Sequence, residues 1–141
     1  MNIKMFIDAS FMPYRKGAAG YGVVIEKENG ATEQSGKIED CEDSHQAEVR
    51  AVLFALKMLP KGSQAIIFLD CSYSFNMVEE AIRDNNGDKY KKNQSIFVQI
   101  KETVKNGALD LTIQQVRGHG PEAPEHLKRA DKLAKAAAIG G

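Results

Sequence analysis

The sequence predicts an α/β domain whose strands and helices follow one another in the order βββαβααβα. Short apolar runs rich in Ile, Phe and Leu are typical of buried strands, and other stretches repeat their apolar residues at helical spacing. Turns that contain Gly, Pro or Asn separate the two kinds of segment. With 141 residues, of which 43% are hydrophobic, the chain is expected to form a single domain over residues 1–141.

Three strands are predicted in the N-terminal part of the chain. Residues 2–9 are mostly apolar and are expected to form a buried strand. Residues 21–26 follow a glycine-containing turn and form the second strand. Asn29-Gly30 is a strong signal for a type I′ hairpin. Residues 31–39 are therefore expected to return alongside the second strand as the third.

The rest of the chain is predicted to contain four helices and two strands. The first helix is expected to begin at Ser44, which serves as its N-cap, and to extend to Leu59. Pro60 and Gly62 then end it. The other predicted elements are a strand over 64–70, helices over 73–83 and 95–105, a strand over 109–116, and a helix from Pro124 to Ala138.

The composition of the chain bears on its binding partners and its location. The 19 basic and 19 acidic residues give no net charge, which argues against a protein that coats nucleic acid generally. No apolar run approaches the ~20 residues of a membrane helix, and no signal peptide precedes the first strand. We therefore expect a cytoplasmic protein that does not bind membranes, and we expect a monomer because the sequence has no obvious additional apolar stripe. Cys41 and Cys71 are expected to be free thiols.

Four acidic residues indicate a candidate reaction centre. Asp8 and Asp70 each follow an apolar strand segment, and parallel strands would bring both carboxylates to one edge of the sheet. Glu48 shares a helix stripe with apolar residues and is expected to point inward, which is costly without a metal or a partner. Asp131 lies in the last helix. If the four converge, they form a Mg²⁺ or Mn²⁺ site for phosphodiester chemistry.

Each acid also has an ordinary structural interpretation. Asp residues at strand ends are often turn formers or helix caps, and Asp131 taken alone is a solvated residue of a helix surface. The joint pattern of the four favours the metal site over these separate explanations.

Several short motifs occur in a fixed order over nearly the whole chain. In sequence order they are Asp8-Ala9-Ser10, Gly20-Tyr21-Gly22-Val23-Val24, Gln46-Ala47-Glu48, Asp70-Cys71-Ser72-Tyr73, Val116-Arg117-Gly118-His119-Gly120 and Arg129-Ala130-Asp131. Each is common by itself, but the ordered set resembles the ribonuclease H type I family. This resemblance implies the RNase H-like fold, with a five-stranded mixed sheet and helices on both faces.

The resemblance also implies an activity. The family cuts the RNA strand of RNA–DNA hybrids by a two-metal mechanism and leaves 5′-phosphate products. Asp8, Glu48, Asp70 and Asp131 match its metal-binding acids, so two Mg²⁺ ions, or Mn²⁺ as a substitute, are expected when substrate is bound. His119 matches the family's mobile loop histidine, which suits proton transfer or product release.

Substrate contacts are expected around this centre. The candidates for reading the hybrid's minor groove and 2′-hydroxyls are Ser10, Ser44, Gln46, Ser72 and Asn76. Lys89, Lys91 and Lys92 partly match the family's basic protrusion, although the chain has no tryptophan. Ser44-His45 stand where the family often has two asparagines, and Ala9 and Cys71 stand where it often has Gly and Ser.

Two alternatives remain open at this point. The same fold and similar acids serve DNA nucleases and junction resolvases, so the substrate could be DNA. A non-catalytic nucleic-acid-binding module is the other alternative. Four convergent carboxylates argue against it, because without metal they would repel phosphate.

Overall fold

The computed structural model describes residues 2–117 and 120–140. Its elements are β1 (Ile3–Met12), β2 (Ala18–Lys27), β3 (Gly30–Ile38), α1 (Ser44–Leu56), β4 (Gln64–Leu69), α2 (Ser72–Ile82), α3 (Gln94–Asn106), β5 (Asp110–Gln115) and α4 (Glu125–Ile139). Two short 3₁₀ helices, Pro13–Arg15 and Asp88–Asn93, lie in the connections. The predicted order βββαβααβα is confirmed. Within the described ranges, no helix is long and apolar enough to cross a membrane.

The five strands form one mixed sheet in the order β3-β2-β1-β4-β5. The hairpin pairs β1–β2 and β2–β3 are antiparallel, whereas β1–β4 and β4–β5 are parallel. Helix α1 carries the chain from β3, which runs in the direction of β1, to β4, and α2 and α3 carry it from β4 to β5. Such crossovers return the chain in the same direction, so β4 is parallel to β1 and β5 is parallel to β4. The predicted mixed sheet with helices on both faces is confirmed.

Alternating residues of β1 contact different helices on the two faces of the sheet. Met5 and Ile7 are buried in the main core, together with apolar side chains from α1, α2 and α3. Phe6 packs on the opposite face with Leu127 and Ala130 of α4. Because side chains along a strand alternate between the faces, Asp8 lies on the same side as Phe6, toward α4.

Some predicted boundaries were wrong. Strand β1 does not end near Asp8 but continues to Met12, because β2 pairs with it as far as Met12↔Ala18. Helix α1 ends at Leu56 rather than Leu59. Its N-cap is Asp43 and not Ser44: the Asp43 side chain accepts a hydrogen bond of 2.8 Å from the backbone N–H of Gln46.

Helix α4 approaches β2 unusually closely at two glycines. A Cβ atom at Gly22 would lie 2.2 Å from the carbonyl oxygen of Ala130, and one at Gly20 would lie 2.5 Å from that of Ala134. Both positions therefore exclude any side chain unless the helix moves. In the sheet, Gly22 pairs with Asp8, so this contact also sets the distance between α4 and Asp8.

We expect Gly20→Val to destabilise the protein by about 1–3 kcal/mol, as overpacking commonly does, because the added carbons would collide with the α4 backbone. Urea unfolding measures this change. The matched control is Ala31→Val on exposed β3, which should leave the unfolding midpoint nearly unchanged. Equal midpoints for the two variants would contradict the close approach.

Candidate active site

Asp8 and Asp70 lie at the same level of adjacent parallel strands. The last β1–β4 pair is Phe6↔Phe68, and each acid is two residues further along its own strand direction. Asp70 directly follows the end of β4, whereas Asp8 is still within β1. Asp8 is only 5% exposed. The prediction that the two acids meet at one sheet edge therefore agrees with the register of the strands.

Glu48 reaches this edge from the second turn of α1. Its Oε1 atom accepts a hydrogen bond of 3.1 Å from the backbone N–H of Ala9, and Asp8 Oδ1 accepts from the same N–H at 2.9 Å. One carboxylate oxygen from each of Asp8, Glu48 and Asp70 lies within 4.8 Å of the others. Three oxygen donors at this spacing match the ligands that hard divalent cations prefer.

Asp131 joins the group from α4, which packs on the face of the sheet opposite to α1. Its carboxyl group interacts with that of Asp8 through a side-chain hydrogen bond. It also forms an ion pair with Lys135, with 3.0 Å between Oδ2 and Nζ. The four predicted acids are thus brought together, although only Asp8, Glu48 and Asp70 have oxygens that all lie within mutual reach of one ion.

Burial and mutual repulsion keep protons on this cluster. Burial is the largest cause that raises the pKa of Asp8, followed by the charge of Asp70, and together with Asp131 they bring it to about 8. The Ala9 N–H opposes this rise. Burial, and then the charge of Asp8, likewise hold the pKa of Glu48 well above its usual range. A divalent cation would relieve the same repulsion, so the donor set suits a metal.

The predicted substrate-contact residues surround the cluster unevenly. Ser10 is half-buried in β1, whereas Ser44, Ser72 and Asn76 are exposed. Gln115 donates a 2.8 Å hydrogen bond to the Ser72 hydroxyl. His119 lies outside the described residues.

Gln46 is half-buried and is held by hydrogen bonds on two sides. Its Oε1 atom accepts a 3.0 Å hydrogen bond from the backbone N–H of Glu42, and its Nε2 donates to Asn93 Oδ1 at 3.4 Å. The fold therefore holds the Gln46 side chain in place from two directions.

The lysines of the predicted basic protrusion are largely neutralised by neighbouring acids. Lys89 Nζ lies 2.7 Å from Glu80 Oε2, and Lys92 Nζ lies 2.5 Å from Asp43 Oδ2. Lys91 is exposed and forms no ion pair with any residue that the structure describes. Two of the three expected phosphate contacts therefore already have an anionic partner within the fold.

An aromatic pair beside the cluster was not predicted. The rings of His45 and Tyr73 stack with centroids 4.4 Å apart and an interplanar angle of 4°. Asn93 Nδ2 donates to the Tyr73 hydroxyl at 2.9 Å, and Tyr90 meets the same ring edge-on. His45 lies near the start of α1 and Tyr73 near the start of α2. Both helices begin near the sheet edge where Asp8 and Asp70 meet, called the acidic edge below. These positions were the only sequence signal for this contact.

A comparison with protein families gives one match, to the RNase H model, over residues 1–139. The five-stranded mixed sheet and the acidic cluster define the class of RNase H-like folds, and the family match is more specific than the class. The chain belongs to the RNase H family. The sequence prediction of a ribonuclease H enzyme is thereby confirmed. No curated protein matches the chain.

Solved structures share the fold at low sequence identity. RNase H1 from the halophilic archaeon Halobacterium salinarum NRC-1 has a TM-score of 0.69 and 18% identity, with 100% of both chains covered. LC9-RNase H1, described as a type 1 RNase H with the type 2 active-site motif, has a TM-score of 0.78 and 18% identity, with 99% of this chain and 72% of that chain covered.

A viral protein gives a comparable match to part of its length. The protease-reverse transcriptase of Prototype Foamy Virus has a TM-score of 0.71 and 23% identity. The match covers 96% of this chain and 20% of the viral chain, so this chain spans about one fifth of that protein.

We expect the metal-free protein to lose stability as pH rises from about 4 to about 8. The folded state retains a proton on Asp8 up to a pKa of about 8, whereas the unfolded state releases it near 3.8, so folding is favoured at the lower pH. Asp8→Asn, which removes the contribution of Asp8 and leaves that of Glu48, should raise the melting temperature at pH 8 in chelator and change it little at pH 4. The same shift at both pH values would contradict the assignment.

Proposed function

We propose that this chain hydrolyses the RNA strand of RNA–DNA hybrids with two divalent metal ions, Mg²⁺ or Mn²⁺. The observation that carries the proposal is the convergence of Asp8, Glu48 and Asp70, whose oxygens lie within 4.8 Å of one another. Asp131 would complete the metal-binding set from α4. When bound, the ions would activate the attacking water and stabilise the leaving oxygen.

The protein's own groups would hold this centre in place. The Ala9 N–H, which donates to both Asp8 and Glu48, keeps the two carboxylates oriented. Lys135 holds one Asp131 oxygen at 3.0 Å. His119 is proposed to move a proton or assist product release, and the cut is proposed to leave a 5′-phosphate.

The hybrid substrate is supported by the family and by one relative. A structure of the foamy viral protease-reverse transcriptase was solved in complex with RNA/DNA hybrid, at 20% identity and a TM-score of 0.70 to this chain. The exposed polar residues Ser44, Ser72 and Asn76, together with Ser10 and Gln46, are proposed to read the minor groove and 2′-hydroxyls. Lys91, and more weakly Lys89 and Lys92, would contact phosphates.

Other features of the proposal concern the protein as a whole. We propose that residues 1–141 act as one catalytic domain and as a monomer. A cytoplasmic location remains a prediction from the sequence.

DNA is the second candidate substrate. A foamy viral protease-reverse transcriptase structure was also solved in complex with dsDNA, at 23% identity and a TM-score of 0.69 to this chain. That complex is a reason to include a DNA duplex in every assay. A non-catalytic role is disfavoured, because the acids form a partly buried cluster that would oppose nucleic-acid binding without metal.

We expect Asp70→Asn to reduce cleavage of an end-labelled hybrid by at least about 100-fold in Mg²⁺, the scale of removing one preorganised contact to a transition state. Asp110→Asn is the matched control, because Asp110 is exposed at the start of β5, away from the acidic edge. The control should cleave normally. Full activity in Asp70→Asn would rule out the proposed centre.

A substrate panel tests the specificity separately. We expect the RNA strand of the hybrid to be cut in Mg²⁺ or Mn²⁺ but not in chelator, and double-stranded DNA and double-stranded RNA to remain intact under the same conditions. The reason is that only the hybrid pairs an RNA strand's 2′-hydroxyls with a DNA strand. Products are resolved on a denaturing gel. Preferential cutting of the DNA duplex would favour the second candidate.

A further inference from the structure

The turn that connects β1 to β2 exposes an aromatic ring and two cations. It consists of Pro13–Arg15 in a 3₁₀ helix followed by Lys16 and Gly17, and it is called the 13–17 turn below. Tyr14 is 80% exposed, more than the other exposed large hydrophobic side chains that the structure describes. A single exposed ring is ordinary on a protein surface, so Tyr14 alone would indicate nothing.

The cations of the 13–17 turn differ from those of the predicted basic protrusion. Arg15 and Lys16 are exposed, and neither forms an ion pair or side-chain hydrogen bond with residues 2–117 or 120–140. Lys89 and Lys92, in contrast, are paired with Glu80 and Asp43. The 13–17 turn therefore offers positive charge that the fold itself does not neutralise.

The position of the turn places this charge beside the acidic edge. Strands β1 and β4 are parallel. The C-terminal end of β1, where the chain enters the turn, therefore lies at the same end of the sheet as Asp70. Met12 is four residues beyond Asp8, which corresponds to about 13 Å along the strand. That length corresponds to roughly four base-pair steps of about 3.4 Å each along the axis of a duplex.

The fold holds the turn at both ends. Met12 and Ala18 are paired across the hairpin, so only the five residues between them connect the strands. Lys16 and Gly17 have φ values of 58° and 71°, which make the chain reverse tightly. A Cβ at Gly17 would lie 3.5 Å from the Cys41 carbonyl oxygen and 3.6 Å from the Phe11 ring, so the turn rests on packed neighbours.

We infer that the 13–17 turn binds the sugar-phosphate backbone of the nucleic acid a few nucleotides from the cut site. Arg15 and Lys16 would contact phosphates. The Tyr14 hydroxyl would donate a hydrogen bond to a phosphate, and its ring would pack on the adjacent sugar. This inference rests on the proposed function and adds a substrate contact that replaces much of the neutralised protrusion.

The double variant Arg15→Gln with Lys16→Gln tests the inference. We expect KM for the hybrid to rise about 10-fold, with a much smaller change in kcat, because phosphate contacts outside the reacting group mainly affect binding. The slope of log affinity against log salt should become shallower by about 0.9 for each lost contact. Affinity is measured by fluorescence anisotropy with Asp70→Asn as the parent protein, so that the hybrid is not cut.

The matched control is Lys27→Gln with Lys61→Gln. This double variant removes the same charge from the end of the sheet opposite to the 13–17 turn. Lys27 ends β2 and Lys61 precedes β4, and both are exposed. The control should leave KM and the salt slope unchanged. Equal effects of the two double variants would show that only net charge matters and would overturn the inference.

Tyr14 is tested by two further variants. Tyr14→Phe should lose the hydroxyl contribution alone, whereas Tyr14→Ala should weaken binding further because the ring is also lost. Wild-type affinity in Tyr14→Ala would remove Tyr14 from the contact. If wild-type protein binds the hybrid but does not cut it, the proposed activity fails while the anisotropy experiment still decides the role of the turn.

Discussion

The burial of Asp8 among three other carboxyl groups is the interaction on which the rest of the structure depends. Isolated acids at such distances repel one another, and burial raises the pKa of Asp8 and Glu48 further. The strand register, the Ala9 N–H and the packing of α4 hold the groups together despite this repulsion. The cluster therefore keeps protons that a bound divalent cation would displace.

The glycines of β2 connect the fold to this centre. Gly22 lies opposite Asp8 in the sheet, and its lack of a side chain lets the Ala130 backbone approach β2. Asp131 follows Ala130 directly, so the same contact that packs α4 on the sheet also carries Asp131 to Asp8. A change in helix packing would consequently alter the acidic cluster, even though neither glycine contributes a functional group.

The sequence allowed much of this arrangement to be predicted, and the exceptions share a cause. Asp8 and Asp70 follow apolar runs, and the inward position of Glu48 follows from helical spacing, so local patterns were sufficient. The His45–Tyr73 stack and the Lys92–Asp43 ion pair join residues far apart in sequence. Such contacts depend on how α1, α2 and the 3₁₀ segment pack, which periodicity does not encode.

The distribution of charge sets how this chain can attract a polyanion. With no net charge, the protein lacks a long-range field to draw nucleic acid, and its acidic cluster repels phosphate until cations bind. Affinity must therefore come from short-range contacts by cations that have no partner in the fold. Lys89 and Lys92 are already paired with acids, whereas Arg15 and Lys16 form no ion pair within residues 2–117 and 120–140. Cations that neutralise phosphates release the counterions condensed on the nucleic acid, so we expect the exposed cations of the 13–17 turn and Lys91 to contribute to recognition beside the acidic cluster.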